Sequence, residues 1–171
     1  MKRAPIILLF LFTTSIFGLN EALPEFTQNS EKFWFNSKPL SIKKLRGKVV
    51  LLDVWTSNCI NCERSVLWIK HVERKFMKKN LQLIGIHSPE FEDEKNRSSV
   101  LRKINKYGYN HPVMMDNDFS YWYALNNQAW PAFYIADKKG RIRGHFIGEM
   151  HAGDKRADQA EKLITELLEE P

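Results

Sequence analysis

Two apolar runs separated by an amphipathic segment most constrain how this chain can fold. Residues 49–54 and 81–86 are predominantly apolar over a strand's length, which is typical of strands buried on both faces. Between residues 62 and 76 the apolar side chains recur at helical spacing, with charged residues between them. A strand, a helix and a strand at this separation predict a βαβ unit with parallel strands and a right-handed crossover.

The rest of the chain adds helices and a hairpin. The two-residue period on either side of residues 137–140 predicts an antiparallel hairpin with Gly140 at its turn. Three helices are predicted near residues 100–107, 119–125 and 154–168, whereas residues 23–38 are expected to be irregular and aromatic. The fold class is therefore α/β, with a central mixed β-sheet flanked by helices.

The organisation of the 171 residues indicates one domain behind an export signal. Residues 1–3 are basic, and the apolar run from residue 6 continues to residue 17, a pattern typical of a secretory signal. No clean cleavage site follows, so an uncleaved N-terminal membrane anchor remains the alternative. We expect a signal or anchor over 1–22 and a domain over 23–171 that lies outside the cytoplasm.

The charge pattern gives no indication of a nucleic-acid partner. The net charge of +6 is modest, and the basic clusters at residues 43–48 and 74–79 accompany no recognised nucleic-acid motif. Such runs are more typical of a solvated face. We therefore predict no nucleic-acid binding.

The cysteine pair is the strongest functional signal. Cys59 and Cys62 fall where the first predicted strand passes into the following helix. A helix N-terminus offers unpaired amides and about half a positive charge, which favours a thiolate. The thiol pKa in such motifs falls from about 8.5 into a range of roughly 3.5 to 7.5. Cys59 is then the attacking thiol, and Cys62, one turn on and more buried, resolves the mixed disulfide.

Two other interpretations of the pair remain open. A stapling disulfide across so short a loop would contribute only about 2 kcal/mol. A metal site would need histidines, of which His145 and His151 form the nearest pair, but their spacing matches no familiar zinc pattern. We expect redox chemistry with no metal and no cofactor.

Asp53 lies inside the first apolar run, where an unpaired charge costs several kcal/mol and the pKa of the acid rises. We therefore predict that Asp53 accepts the proton of Cys62 through water. The alternative is an acid at the sheet edge that is paired with a lysine.

The dipeptide Trp130-Pro131 opens the hairpin strand and is by itself a weak signal.

Together these residues resemble the thioredoxin-like superfamily, in its extracytoplasmic TlpA, ResA and DipZ-like branch. The matching stretches cover almost everything after the signal: residues 40–50, 53–62, 84–91, 111–113, 116–118, 130–132 and 140–143.

The resemblance implies a role for each site residue. It makes Cys59 and Cys62 the redox dithiol and Asp53 the buried acid. It also implies that Pro131 is the cis-proline that faces the cysteines and guides the substrate backbone. Trp130, Trp55 and Asn58 then complete the substrate-binding cleft. The implied reaction passes reducing equivalents to disulfides of exported proteins, including apocytochromes c, with a second redox protein as partner.

The sequence departs from thioredoxin itself at three places. Asn58 and Asn61 replace the tryptophan before the first cysteine and the proline between the cysteines, which leaves the redox potential open. The usual kinking proline after the second cysteine is also absent, and residues 65–67 occupy that region.

Two other functions compete with this interpretation. A peroxide reductase of the peroxiredoxin type is suggested by the spacing of Thr56 and Cys59, although Leu52 stands where its upstream proline is expected. A copper carrier resembling Sco proteins would use both thiolates and His145, but those proteins separate their cysteines by three residues.

Overall fold

The structure, a computed structural model, describes residues 21–76 and 78–171. The predicted signal or anchor over residues 1–22 lies outside this part of the chain except for its last two positions. Within the described ranges, no helix combines the length and apolar character needed to cross a membrane.

A mixed sheet forms the centre of the domain, as predicted, and among the described residues it has six strands. In spatial order its strands run β1-β4-β3-β2-β5-β6. Strands β2, β3 and β4 are parallel to one another, whereas β1, β5 and β6 each pair antiparallel with their neighbour. The strands are β1 (Trp34–Phe35), β2 (Val49–Trp55), β3 (Leu81–His87), β4 (Val113–Met115), β5 (Ala132–Ala136) and β6 (Ile142–Ile147).

In the part of the chain that the structure describes, five α-helices flank this sheet: α1 (Ile42–Leu45), α2 (Ile60–Phe76), α3 (Arg97–Tyr107), α4 (Ser120–Ala124) and α5 (Lys155–Glu169). Helix α3 begins where the Asn96 side chain accepts a hydrogen bond from the Ser98 amide, and it ends at Gly108 in the left-handed conformation. Helix α2 is continuous over 17 residues, consistent with the missing proline in its first turns.

The sheet separates two apolar clusters. Helices α2, α3 and α5 cover one face, where β2 contributes Val49, Leu51 and Trp55. Helices α1 and α4 and the N-terminal segment cover the other face, where β2 contributes Val50, Leu52 and Val54. Because side chains alternate along a strand, Asp53 points to the α2 face together with Leu51 and Trp55.

The structure contains two short strands, β1 and β4, that the sequence did not predict. Within residues 23–38, expected to be irregular, Trp34 and Phe35 form edge strand β1 against β4, with exposed fractions of 2% and 4%. Strands β1 and β4 contain two and three residues, too few for alternation to be visible in a sequence.

Candidate active site

Cys59 and Cys62 form a disulfide at the first turn of α2, with sulfurs 2.21 Å apart and Cα atoms 5.2 Å apart. The Cys62 amide donates a hydrogen bond to Cys59 Sγ at 3.1 Å, and the Glu63 amide donates to the Cys59 carbonyl at 3.1 Å. Cys59 is half-buried and Cys62 is only 3% exposed. The helix start therefore presents the first sulfur outward, within reach of an amide donor.

A buried carboxylate holds the loop that leads into Cys59. Glu94 follows β3 in a short 3-10 helix and is 1% exposed. One of its oxygens, Oε1, accepts from the Asn58 amide at 2.6 Å. The other, Oε2, accepts from the Thr56 hydroxyl at 2.8 Å and from the amides of Glu90 and Phe91 at 2.7 and 2.9 Å.

These donors determine the charge state of Glu94. Burial acts to raise the pKa of its carboxyl, but the hydrogen bonds from the Phe91 amide, the Thr56 hydroxyl and the Asn58 amide outweigh it and lower the pKa. Glu94 is therefore a charged anchor that fixes residues 56–58 against the segment after β3.

A second buried contact supports the same loop. Ser57 Oγ and His87 Nε2 share a hydrogen bond of 2.8 Å, and both residues are buried. Burial lowers the pKa of His87 to about 4, so its imidazole is neutral at neutral pH. The His87 ring also contacts the Trp55 ring edge-on at 4.8 Å between centroids.

Asp53 is 1% exposed on β2, beside Gly85 of β3 and Phe133 of β5. It lies on an interior strand rather than at the sheet edge, and no ion pair joins it to a lysine or arginine within the described ranges. Its oxygen Oδ2 accepts a hydrogen bond of 3.4 Å from the Tyr109 hydroxyl. Burial raises its pKa to about 7, although the Tyr109 bond lowers it.

Pro131 lies at the same edge of the sheet as the cysteines. The peptide bond between Trp130 and Pro131 is cis, as the resemblance implied. Strand β5 begins at Ala132, which pairs with Val54, so Pro131 stands where β2 leads into the Cys59 loop. Trp130 is partly buried, donates from Nε1 to the Ser88 carbonyl at 3.0 Å and contacts the Trp122 ring at 4.4 Å.

Asn58 and Trp55, the other two predicted substrate-binding residues, occupy different environments. Asn58 is exposed immediately before Cys59. Trp55 is 1% exposed, and its ring contacts the rings of Tyr107, Tyr109 and His87 inside the core. Asn58 and the partly buried Trp130 thus lie toward the surface, whereas Pro131 is buried at the start of β5 and Trp55 lies in the core.

The two histidines considered as metal ligands each contact a residue other than the cysteines. His145 stacks on Tyr134, whose side chain belongs to the cluster on the opposite face of the sheet from Cys62. His151 lies 3.4 Å from Glu149. Among residues 21–76 and 78–171, no three His, Cys, Asp or Glu side chains form a group that could hold a metal ion.

Sequence reasoning missed Glu94, Tyr109 and the hydrogen bond between Ser57 and His87. Glu94 ends an acidic run that resembles a solvated surface, and the sequence offers no signal that separates it from its exposed neighbours Glu92 and Asp93. Tyr109 is 56 residues from Asp53, so their contact depends on the fold.

A mixed sheet with paired cysteines at the start of its first long helix defines a thioredoxin-like thiol-disulfide oxidoreductase of the TlpA, ResA and DipZ type. The Redoxin family matches residues 19–164, and the chain belongs to this family.

Two relatives and one solved structure show the extent of the similarity. The chain is 36% identical over 138 residues to DipZ of Mycobacterium tuberculosis, covering 79% of this chain and 19% of DipZ. It is 26% identical over 152 residues to the thiol-disulfide oxidoreductase YkuV of Bacillus subtilis, covering 89% and 97% of the two chains. A thiol-disulfide isomerase structure from Corynebacterium glutamicum superposes with a TM-score of 0.73 at 26% identity, covering 87% of this chain and 98% of that one. The chain therefore spans only about a fifth of DipZ but nearly all of YkuV.

Proposed function

We propose that this chain exchanges electrons with disulfides of other proteins through Cys59 and Cys62, outside the cytoplasm. The observation that carries the proposal is the position of the sulfur pair. Cys59 is partly exposed at the N-terminus of α2, and its sulfur accepts a hydrogen bond from the Cys62 amide. Cys62 itself is buried. This arrangement favours a thiolate at Cys59 and protects the second thiol from solution reagents.

In the reducing direction, the Cys59 thiolate attacks a substrate disulfide. A bond forms between Cys59 and one substrate sulfur, and the other substrate sulfur leaves as a thiolate that takes up a proton from water. Cys62 then loses its proton and attacks Cys59, which forms the intramolecular disulfide and releases the second substrate thiolate. Two electrons pass to the substrate, and the oxidising direction is the reverse sequence.

Asp53 supplies a proton acceptor for the second step. Its carboxyl lies on the face of β2 that packs beneath α2, and its raised pKa of about 7 suits proton exchange near neutral pH. We propose that Asp53 takes the Cys62 proton through water. In an Asp53→Asn variant, we expect disulfide reduction at pH 7 to slow by about ten- to a hundredfold. An unchanged rate removes this role.

The proposed substrate surface surrounds the partly exposed Cys59. Pro131 guides an extended substrate backbone, while Asn58 and Trp130 contact substrate side chains. Trp55 supports the site from the core because its ring is buried. Exposed Ile60, between the two cysteines, adds an apolar contact. The exposed side chains of Asn58 and Ile60 beside Cys59 support a protein disulfide as the substrate.

The location and the clients belong to the same proposal. The basic and apolar N-terminal segment supports export, with removal of the segment or retention as an anchor. Apocytochromes c and a second redox protein are the proposed client and partner, on family resemblance alone. Fractionation of cells expressing the full chain tests the location, and reduction of an oxidised apocytochrome c tests the client.

The redox potential of the Cys59/Cys62 couple tests the function directly. We expect a reversible two-electron couple in glutathione buffers, absent in Cys59→Ser and Cys62→Ser. A potential close to about −270 mV, as in thioredoxin, indicates a reductant, and one close to about −120 mV, as in DsbA, indicates an oxidant. The absence of any reversible couple would contradict the proposal.

A further inference from the structure

The two oxygens of Asp53 have different surroundings. Oδ2 accepts the Tyr109 hydroxyl at 3.4 Å, whereas Oδ1 has no hydrogen-bond partner within residues 21–76 and 78–171. The residue is 1% exposed and sits among apolar side chains on the α2 face of the sheet. An unpartnered buried carboxylate oxygen is costly in a folded protein, and such groups are often retained for chemistry.

Tyr109 is held firmly in the position from which it donates. Its amide donates to the Ile104 carbonyl at 3.1 Å, and its carbonyl accepts from the Asn36 side chain at 3.0 Å. Its ring lies between the Trp55 and His111 rings, at centroid distances of 5.9 and 4.5 Å, and only 4% of the residue is exposed. The hydroxyl therefore cannot leave Asp53 by a simple rotation of an exposed side chain.

No other titratable side chain donates to Asp53 within the described ranges. The ring centroid of Tyr107 lies 5.5 Å from that of Tyr109, but the Tyr107 hydroxyl donates to Glu63 at 3.4 Å. On β5 the residue paired with Asp53 is the apolar Phe133. The titratable or charged groups on the surrounding elements include Cys62, Glu63 and Glu73 of α2, Tyr107 of α3, His111 before β4, His87 of β3 and Glu161 of α5.

We propose that Tyr109 is a positioning residue for the resolving step: its hydroxyl holds Oδ2 of Asp53 and leaves Oδ1 as the oxygen that receives the Cys62 proton. This inference rests on the proposed role of Asp53. In the balanced step, the Cys62 proton passes through water to Oδ1. The sulfur–sulfur bond between Cys62 and Cys59 then forms as the bond between Cys59 and the substrate breaks, and the substrate leaves as a thiolate.

The hydrogen bond also keeps Asp53 available as a base. Burial raises the pKa of Asp53 to about 7, and the Tyr109 hydroxyl counteracts that rise. Without the hydroxyl, the pKa of Asp53 rises further, and less of the carboxylate is present at pH 7. The expected result is a slower resolving step at neutral pH that recovers in alkaline solution.

The test is the pH profile of disulfide reduction by the full chain carrying Tyr109→Phe. We expect the midpoint of the profile to move up by about one pH unit, which corresponds to the loss of one hydrogen bond to a charged group. The rate should be roughly three- to tenfold lower than that of wild type at pH 7 and equal to it at pH 9. Tyr107→Phe, which removes the neighbouring hydroxyl, is the matched control and should leave the midpoint unchanged. A rate lowered by the same factor at every pH, or an unmoved midpoint, would overturn the proposal.

Two further measurements separate this proposal from the one on which it rests. If Asp53→Asn keeps the wild-type profile, the role of Asp53 fails, and that of Tyr109 fails with it. If Asp53→Asn abolishes the pH dependence of the rate but Tyr109→Phe leaves its midpoint unchanged, only the role of Tyr109 fails. Carbon NMR titration of the reduced protein follows the Asp53 carboxyl without turnover, and it should show a higher midpoint in Tyr109→Phe than in wild type.

Discussion

Two buried carboxylates near the dithiol, Asp53 and Glu94, are each 1% exposed but differ in their hydrogen bonds. Glu94 accepts from three amides and one hydroxyl at 2.6 to 2.9 Å, and its pKa is lowered. Asp53 accepts one hydrogen bond, from the Tyr109 hydroxyl at 3.4 Å, and its pKa is raised to about 7. Burial alone therefore does not decide the charge of a carboxyl: the number of donors does.

The difference in hydrogen bonding gives the two carboxylates different roles: Glu94 supports the structure, and Asp53 has the proposed chemical role. Glu94, fully bonded, ties the loop before Cys59 to the segment after β3 and has no oxygen left for proton transfer. Asp53, largely unbonded, destabilises the folded protein when it is ionised and so retains a tendency to take up a proton. Asp53 belongs to the strand that precedes the sulfur pair, and Glu94 belongs to the segment that packs against the loop before Cys59.

The largest expected change in the free energy of unfolding follows from replacing Glu94, the carboxylate with four hydrogen bonds. Replacing Glu94 with alanine leaves a buried hydroxyl and three partly buried amides without their acceptor, and we expect a loss of about 4 to 5 kcal/mol in the free energy of unfolding. Urea unfolding of the oxidised protein measures it. Glu92→Ala in the same short helix is the control, since its side chain is exposed and should change stability by less than about 0.5 kcal/mol. Equal effects for the two variants would remove the distinction drawn for Glu94.

For Asp53 we expect the opposite result: removing its charge should stabilise the folded protein above neutral pH. Because the pKa of its carboxyl is raised from 3.8 to about 7 in the folded state, the stability it contributes is present below pH 4 and is lost as the pH rises through 7. Asparagine does not titrate. The stability of Asp53→Asn relative to wild type should therefore be greater at pH 8 than at pH 4, by about 4 kcal/mol. Urea unfolding at both pH values measures this difference, and a relative stability independent of pH would show that Asp53 ionises normally.

His87 gives a smaller effect in the acid range. Burial lowers the pKa of its imidazole from 6.5 to about 4, so its contribution to stability is present above pH 6.5 and is lost as the pH falls through 4. Between pH 7 and pH 4, wild type should lose about 3 kcal/mol more than His87→Phe. The lost bond to Ser57 affects the variant equally at both pH values, so it cancels from the comparison. Parallel pH curves for the two proteins would contradict the lowered pKa.

The smallest effect is expected at the surface ion pairs that surround the site. Lys106 lies 2.7 Å from Glu63, but both side chains are more than a third exposed. Exposed ion pairs contribute little because solvent screens them. Lys106→Ala should change the free energy of unfolding by less than about 0.5 kcal/mol in urea titrations. A loss comparable to that of Glu94→Ala would mean that charge pairing, and not the number of buried donors, decides stability around the site.

The same two carboxylates show what the sequence can and cannot predict. Asp53 is visible because an acid interrupts an apolar strand, and the mixed sheet is visible because β2, β3 and α2 are long enough to show their periods. Glu94 is hidden in an acidic run, and the Tyr109 contact joins residues that only the fold brings together. Local patterns thus locate the dithiol and its acid, whereas the donors that set the charge of each carboxyl depend on tertiary structure.

The most direct test of the central claim is to trap the mixed disulfide. Reduced Cys62→Ser and Cys59→Ser are mixed with insulin, and intact-mass spectrometry measures the adducts. If Cys59 is the attacking sulfur and Cys62 the buried resolving sulfur, Cys62→Ser accumulates the adduct and Cys59→Ser forms at least about tenfold less. Equal adducts from both variants, or a larger adduct through Cys62, would contradict the roles assigned to the two sulfurs.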